Sequence, residues 1–168
     1  MKNIIINENN LKEEDMTESV KKVKVLLINS KNEILLGYSH NTYQFPGGRV
    51  EPNESLIETL NREMREETGI DLNIKEAEPF ACSTGYYKNY PVEGNNRRVE
   101  IYYYEVKTDI MPDLNNTQYT EDEKEGNFEL RYIPLKDVEK VLKEDSKKYG
   151  DKRRIENEML ELFKIYTY

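Results

Sequence analysis

The amino-acid sequence predicts an α/β sandwich, helices packed on a mixed β-sheet, and three observations predict it. β-rich runs such as Val23-Lys24-Val25-Leu26-Leu27-Ile28 alternate along the chain with stretches of helical period. Clusters of Gly, Pro and Asn punctuate the boundaries between them. The 168 residues suit one domain, which at that length buries about two thirds of the surface its unfolded chain exposes. We therefore take residues 1–20 as an N-terminal extension packed on or beside the domain, and 21–168 as a single domain that includes the C-terminal helices.

Each element has its own signal. Residues 1–20 are polar and acidic and read as a short edge strand followed by a loop or helical turn. Residues 23–29 form a strand that turns at Ser30-Lys31-Asn32 into a second strand over 33–38, a hairpin. Tyr43-Gln44-Phe45-Pro46-Gly47-Gly48 leaves a strand for a loop in which glycine allows close approach to a ligand. A helix follows, with Pro52 and Asn53 as start signals, Asn53 as cap and Gly69 as stop. Its apolar face is Leu56, Ile57, Leu60 and Met64, with Glu63, Glu66 and Glu67 on an arc beside that face. Strands are expected over 77–87 and 98–106, joined by the Gly94-Asn95-Asn96 turn. Residues 107–126 lack periodicity and read as a loop bordering the active site. A strand resumes over 128–133, and Pro134-Leu135 opens a helix carrying Val138, Val141 and Leu142 until Gly150 interrupts it. The last helix sets Ile155, Met159, Leu162, Phe163 and Tyr166 on one face.

Composition excludes several function classes. A formal charge of -8 argues against a broad nucleic-acid surface, which needs a basic face. A small anionic substrate remains compatible with an acidic pocket when divalent ions neutralise both parties. One cysteine, Cys82, permits neither an intramolecular disulfide nor a cysteine zinc site and reads as a buried thiol. No apolar run is long enough for a signal peptide or a membrane span, so a cytoplasmic location is expected. His40, the sole histidine, has nothing around it from which to build a Ser-His-Asp system.

The chemistry concentrates in one stretch, Gly48 to Ile70. On a helix Glu63, Glu66 and Glu67 stand at i, i+3 and i+4 and share one arc, and an all-oxygen donor set selects hard cations, magnesium or manganese before zinc. A solvated acidic face is the plain alternative, since exposed like-charge pairs cost only about 0.2–0.5 kcal/mol each. The full pattern decides against it. Gly48, Glu54, Arg62, Glu63, Met64, Glu66, Glu67, Gly69 and Ile70 fill G-x5-E-x7-R-E-U-x-E-E-x-G-U, with U aliphatic, a coincidence expected on the order of once in a hundred million starts or fewer. In these residues the sequence resembles the Nudix hydrolase family, with no departure from its signature.

The resemblance implies a mixed sheet between helices, a Nudix-like α/β/α sandwich, with the signature as loop-helix-loop. It also implies hydrolysis of a nucleoside diphosphate linked to another moiety, with Mg2+ as cofactor and Mn2+ as substitute. Carried over by position, it makes Glu63, Glu66 and Glu67 the carboxylate metal ligands, with the Gly48 carbonyl as a further one. Arg62 would orient a glutamate, or pair with Glu58 or Glu66, and Glu54 would support the loop. Some relatives place a further acid after the sheet strands; Glu121, Glu123 and Glu125 are available, and Glu125, nearest the next strand, is first choice as base. For the remaining substrate contacts, Arg49, Arg97, Arg98 and Lys88 are the candidate phosphate cations. Tyr86, Tyr87 and Tyr90 are candidates to stack on a base or simply to cover a sheet. The expected partner is a small nucleotide, with no extended nucleic-acid surface and no membrane; a homodimer stays open. A nucleotide-binding regulatory module without turnover is the alternative, and a diphosphate isomerase would need a cysteine motif that Cys82-Ser83-Thr84-Gly85 does not resemble.

Overall fold

A computed structural model describes residues 1–149 and 154–166, and its seven strands form one mixed sheet with helices on both faces. The strands are β1 (Lys2–Ile6), β2 (Glu18–Ile28), β3 (Glu33–Ser39), β4 (Thr42–Gln44), β5 (Ala81–Tyr87), β6 (Arg97–Lys107) and β7 (Glu129–Pro134). The helices are α1 (Leu56–Thr68), the short α2 (Glu121–Glu125), α3 (Val138–Tyr149) and α4 (Arg154–Tyr166). The strand order is β1-β5-β6-β2-β3-β4, with β7 also paired to β3. Two pairings are parallel, β1 with β5 and β2 with β6; the others are antiparallel. The N-terminal residues thus supply an edge strand of the sheet itself. No helix among the described residues is long and apolar enough to cross a membrane.

Strand alternation divides the core in two. Val23, Val25 and Leu27 of β2 bury against Leu60 and Met64 of α1. Their neighbours Leu26 and Ile28 bury on the opposite face with Val138 and Leu142 of α3 and Met159, Leu162 and Phe163 of α4. Each helix contributes one apolar stripe and leaves its polar side to water. The same alternation carries Lys22 and Lys24 to the α4 side, where they matter below.

Four expectations move. α1 begins at Leu56, not after Asn53: Ser55 is the cap, its Oγ accepting from the Glu58 N–H at 3.2 Å while Glu58 accepts from the Ser55 N–H at 2.8 Å. Asn53 instead takes a left-handed turn conformation, φ 69°, which asparagine tolerates. β5 starts at Ala81, because Pro79 has no N–H to give to a ladder. The aperiodic stretch after β6 contains a 3-10 turn (Leu114–Asn116) and α2 rather than loop alone. Gly69 ends α1 in the left-handed conformation, φ 72°, as its position predicts. The expected break at Gly150 and the side chain of Ile155 lie outside the described residues. Ser55→Ala removes the cap and should cost about 1 kcal/mol in urea unfolding.

Candidate active site

Two glycines build the floor. Gly47 has φ 120°, and a Cβ there would strike the Val23 carbonyl of β2; a Cβ at Gly48 would fall on the Glu63 carboxylate. Stripped of side chains, the segment lies along β2: the Val25 N–H donates to the Pro46 carbonyl and the Val23 N–H to that of Gly48, each at 2.9 Å. It also turns the Gly47 N–H onto Glu67 Oε2 at 2.8 Å. Lys24 Nζ donates to the Gly47 carbonyl and fixes the same bend from above. The Gly48 carbonyl therefore already accepts one bond, with one lone pair remaining.

Arg62 is the clamp. Its Nε and Nη2 hold Glu54 at 2.6 and 2.9 Å, a two-pronged pair, while Nη1 reaches Glu63 Oε1 at 2.8 Å and Glu66 Oε2 at 3.0 Å. Nη2 also meets the Arg49 carbonyl at 3.0 Å, so one guanidinium ties the loop to two carboxylates of α1. Both roles foreseen for Arg62 hold at once, except that Glu58 is taken by the cap. The Arg62 guanidinium holds the Glu54 carboxyl at a pKa of about 2. Arg62→Lys keeps the charge but not the fork, and kcat should fall by about tenfold to a hundredfold with little change in melting temperature.

The three glutamates differ sharply in burial. Glu66 is the most open, its side chain 34% exposed; that of Glu63 is 12% exposed, and Glu67 as a residue is 5% exposed. Glu67 is not at the rim where the helical arc alone would put it, because the Gly47 loop closes over it. Burial pushes its carboxyl up to about 8, only partly opposed by Lys24 and the Gly47 N–H, and burial likewise raises Glu63 against the pull of Arg62. Among the described residues no three His, Cys, Asp or Glu side chains are placed so that together they could hold a metal ion. The donors fit a hard cation in kind, as carboxylate oxygens on one cavity wall, although their side chains are not drawn together into a formed metal site. Glu63, Glu66 and Glu67 each commit one oxygen to a fixing contact and keep the other outside it. All three line the same cavity, on the side where a Cβ at Gly48 would have filled the space.

That cavity encloses about 700 Å3, and Lys22, Lys24 and Arg49 also line it. The aperiodic segment supplies the remaining wall. Its backbone docks on the C-terminal end of α1, with the Asp113 N–H on the Thr68 carbonyl at 2.9 Å and the Gln118 N–H on that of Glu66 at 2.8 Å. This brings Gln118, Thr120, Asp122 and Glu123 to the cavity, with His40 beside Asp122. Glu125 is not among them: it faces a neighbouring hollow with Tyr38 and Asn127. Proximity in sequence to β7 favoured Glu125, but Thr120-x-x-Glu123 is a capping box whose geometry turns Glu123 inward.

The remaining candidates separate by strand parity. Arg98 and Tyr86 are directly paired across β5 and β6 and meet Glu13, Tyr86 by its hydroxyl at 2.5 Å and Arg98 at 3.3 Å; Arg98 also pairs with Glu100 at 2.9 Å. Neither lines the cavity of the glutamates. Arg97 and Tyr87, one position along, point to the α4 side and line a smaller cavity that adjoins it. Lys88, also a candidate, lines neither. Lys24, with no place among the sequence candidates, was legible as a cation alternating with the apolar residues of β2.

Comparison with known proteins agrees with this geometry. The family model described as the NUDIX domain matches residues 19–153. Over 69 residues the chain is 35% identical to an 8-oxo-dGTP diphosphatase of Buchnera aphidicola subsp. Schizaphis graminum, covering 41% of this chain and 49% of that protein. Over 68 residues it is 32% identical to an RNA pyrophosphohydrolase of Francisella tularensis subsp. mediasiatica, covering 39% and 43%. The matched stretch thus spans half or less of these relatives' length. Among solved structures, a C. elegans Ap4A hydrolase binary complex superposes with a TM-score of 0.54 at 18% identity, covering 88% of this chain and 95% of that one. The MutT protein of Methanosarcina mazei Go1 gives 0.53 at 20%, covering 89% and 96%. These likenesses show the fold.

Proposed function

The chain belongs to the NUDIX domain family, and from that premise we propose that it is a divalent-metal-dependent hydrolase of a diphosphate linkage in a nucleoside diphosphate derivative. The observation that carries the reading is the convergence of Glu63, Glu66 and Glu67 on a cavity whose other walls hold Lys22, Lys24 and Arg49. A cation-binding wall facing ammonium and guanidinium groups suits a polyphosphate.

Magnesium, with manganese as substitute, would be held by Glu63, Glu66, Glu67 and the Gly48 carbonyl, and when bound it supplies charge neutralisation and polarisation of the phosphoryl group. The protein's own residues do the rest. Arg62 and the Gly47 N–H each restrain one oxygen of these carboxylates, which leaves the other oxygen of each to turn towards the metal. Lys24 and Arg49 attract and align the phosphates. A water oxygen attacks phosphorus, the bond from phosphorus to the bridging oxygen breaks, and a wall carboxylate takes the water's proton. That Glu123 lines the cavity supports it for that last role, and its amide replacement keeps the acceptor oxygen that meets Thr120 at the start of α2. Glu123→Gln should therefore lower kcat by about a hundredfold or more without unfolding α2, while Glu125→Gln changes it less than about twofold.

The decisive test is phosphate release from a nucleotide panel with and without magnesium, with the products identified. Cleavage that requires the metal is the expected result. Nucleotide binding with no product from any diphosphate compound would overturn the hydrolase reading in favour of a binding module.

A further inference from the structure

A second cavity of about 110 Å3, lined by Tyr87, Tyr90, Arg97 and Glu158, lies on the α4 side of the sheet. Lys22 lines both this cavity and that of the glutamates. Its ammonium makes no hydrogen bond or close ion pair among the described residues; burial depresses its pKa, Lys24, Arg97 and Arg49 add like charge, and the Glu158 carboxylate opposes them only at longer range. In a chain of net charge -8, three cations gathered around the Lys22 ammonium fit an anion that is not part of the fold.

Past Lys22 the chemistry of the wall changes. Tyr87 and Tyr90 form an aromatic wall, ring centroids 5.6 Å apart, and the Arg97 guanidinium, paired to Glu18 at 2.8 Å, lies 5.3 Å from the Tyr90 centroid. Glu158 of α4 lines the same cavity. Its Oε1 accepts from Ser83 Oγ and from the Tyr103 hydroxyl at 3.0 Å, which fixes the carboxylate and fills the lone pairs of that oxygen. Oε2 takes part in neither contact. A carboxylate oxygen only accepts, so in an aromatic slot it selects a base edge that presents hydrogens.

Resting on the hydrolase reading, we propose that this second cavity holds the nucleobase: Lys22 grips the phosphate nearest the nucleoside, the tyrosines stack on the base, and Glu158 selects guanine. Guanine offers N1–H and the N2 amino group side by side to one acceptor; adenine sets its lone-pair N1 there, against the carboxylate. The phosphate chain then runs from Lys22 to Glu63, Glu66 and Glu67.

Calorimetric titration of the full chain with GMP and AMP in the absence of metal tests the site without calling on turnover. GMP should bind about tenfold or more tightly than AMP, Glu158→Gln should bring that ratio close to one, and Lys22→Met should weaken both nucleotides by about tenfold. Equal affinity for the two nucleotides in the unmodified chain, or a guanine preference that survives Glu158→Gln, would overturn the proposal. If the glutamine variant fails to fold, Glu158→Asp, which retracts the acceptor but keeps the charge, must show the same loss of preference. The two readings fail separately. A guanine preference lost with Glu158 but no metal-dependent cleavage would sink the hydrolase and leave the base site standing, whereas cleavage indifferent to the base would do the reverse.

Discussion

Glu67→Gln should abolish most of the proposed metal-dependent turnover, a fall of about two to four orders of magnitude in kcat, and at the same time make the metal-free protein more stable above neutral pH. Both effects have one cause. Glu67 is buried beneath the Gly47 loop with a carboxyl pushed up to about 8, so in the folded state without metal it prefers its proton. A carboxyl whose folded pKa exceeds its unfolded one contributes stability that is complete below the unfolded value, near 4.5, and is lost as pH rises through about 8. The amide cannot ionise and still accepts from the Gly47 N–H. In chelator, the melting temperature of the wild type should decline across that window while that of Glu67→Gln stays level, the variant lying roughly 3 °C or more higher at the alkaline end. A variant that retains turnover would refute the assignment of Glu67; parallel melting curves would refute its burial as an unpaired acid.

Gly47→Ala should be among the most damaging single-methyl changes at the described glycines. Its φ of 120° is closed to other residues, and the added carbon meets a main-chain carbonyl of β2 that cannot swing aside. A cost of at least about 2 kcal/mol follows, read as a drop of roughly 4–8 °C in melting temperature. Activity suffers further, because the displaced loop carries both the N–H that fixes Glu67 and the Gly48 carbonyl; shifts near 1 Å cost about a hundredfold. Gly48→Ala should be milder in stability, since its neighbour is the end of the Glu63 side chain and not backbone.

Where the sequence was legible, a local rule and the tertiary fold demanded the same thing. α1 shows it: Leu60 and Met64 are apolar at helical spacing, Gly69 is the residue type most at ease in the left-handed terminal turn, and the fold uses both. Where one residue serves two local rules, reading fails. Asn53 is equally good as a cap and as a left-handed turn, and only the path of the chain from Arg49 to Ser55 chooses the turn. Register was the other gap. Arg97 and Arg98 are indistinguishable as neighbouring cations, yet pairing of β6 with β5 and β2 sends one towards α4 and the other towards Glu13. Burial of Glu67 was hidden for a similar reason, since what covers it is 20 residues away in sequence. Glu123 could have been found in advance from Thr120-x-x-Glu123, a pattern that outranks mere nearness to the following strand.

The two parallel ladders also set a timetable for self-assembly. Glu18 and Arg97, at the start of the β2–β6 register, are 79 residues apart, and β1 waits as long for β5. Both seams must close a large loop before any contact within them repays the lost chain freedom, whereas β3 with β4 and α1 with its own cap form from neighbours. A nascent chain emerging N-terminus first therefore holds the apolar run of β2 without its longest partner until β6 has been synthesised, and the aggregation hazard of this protein is concentrated in that interval.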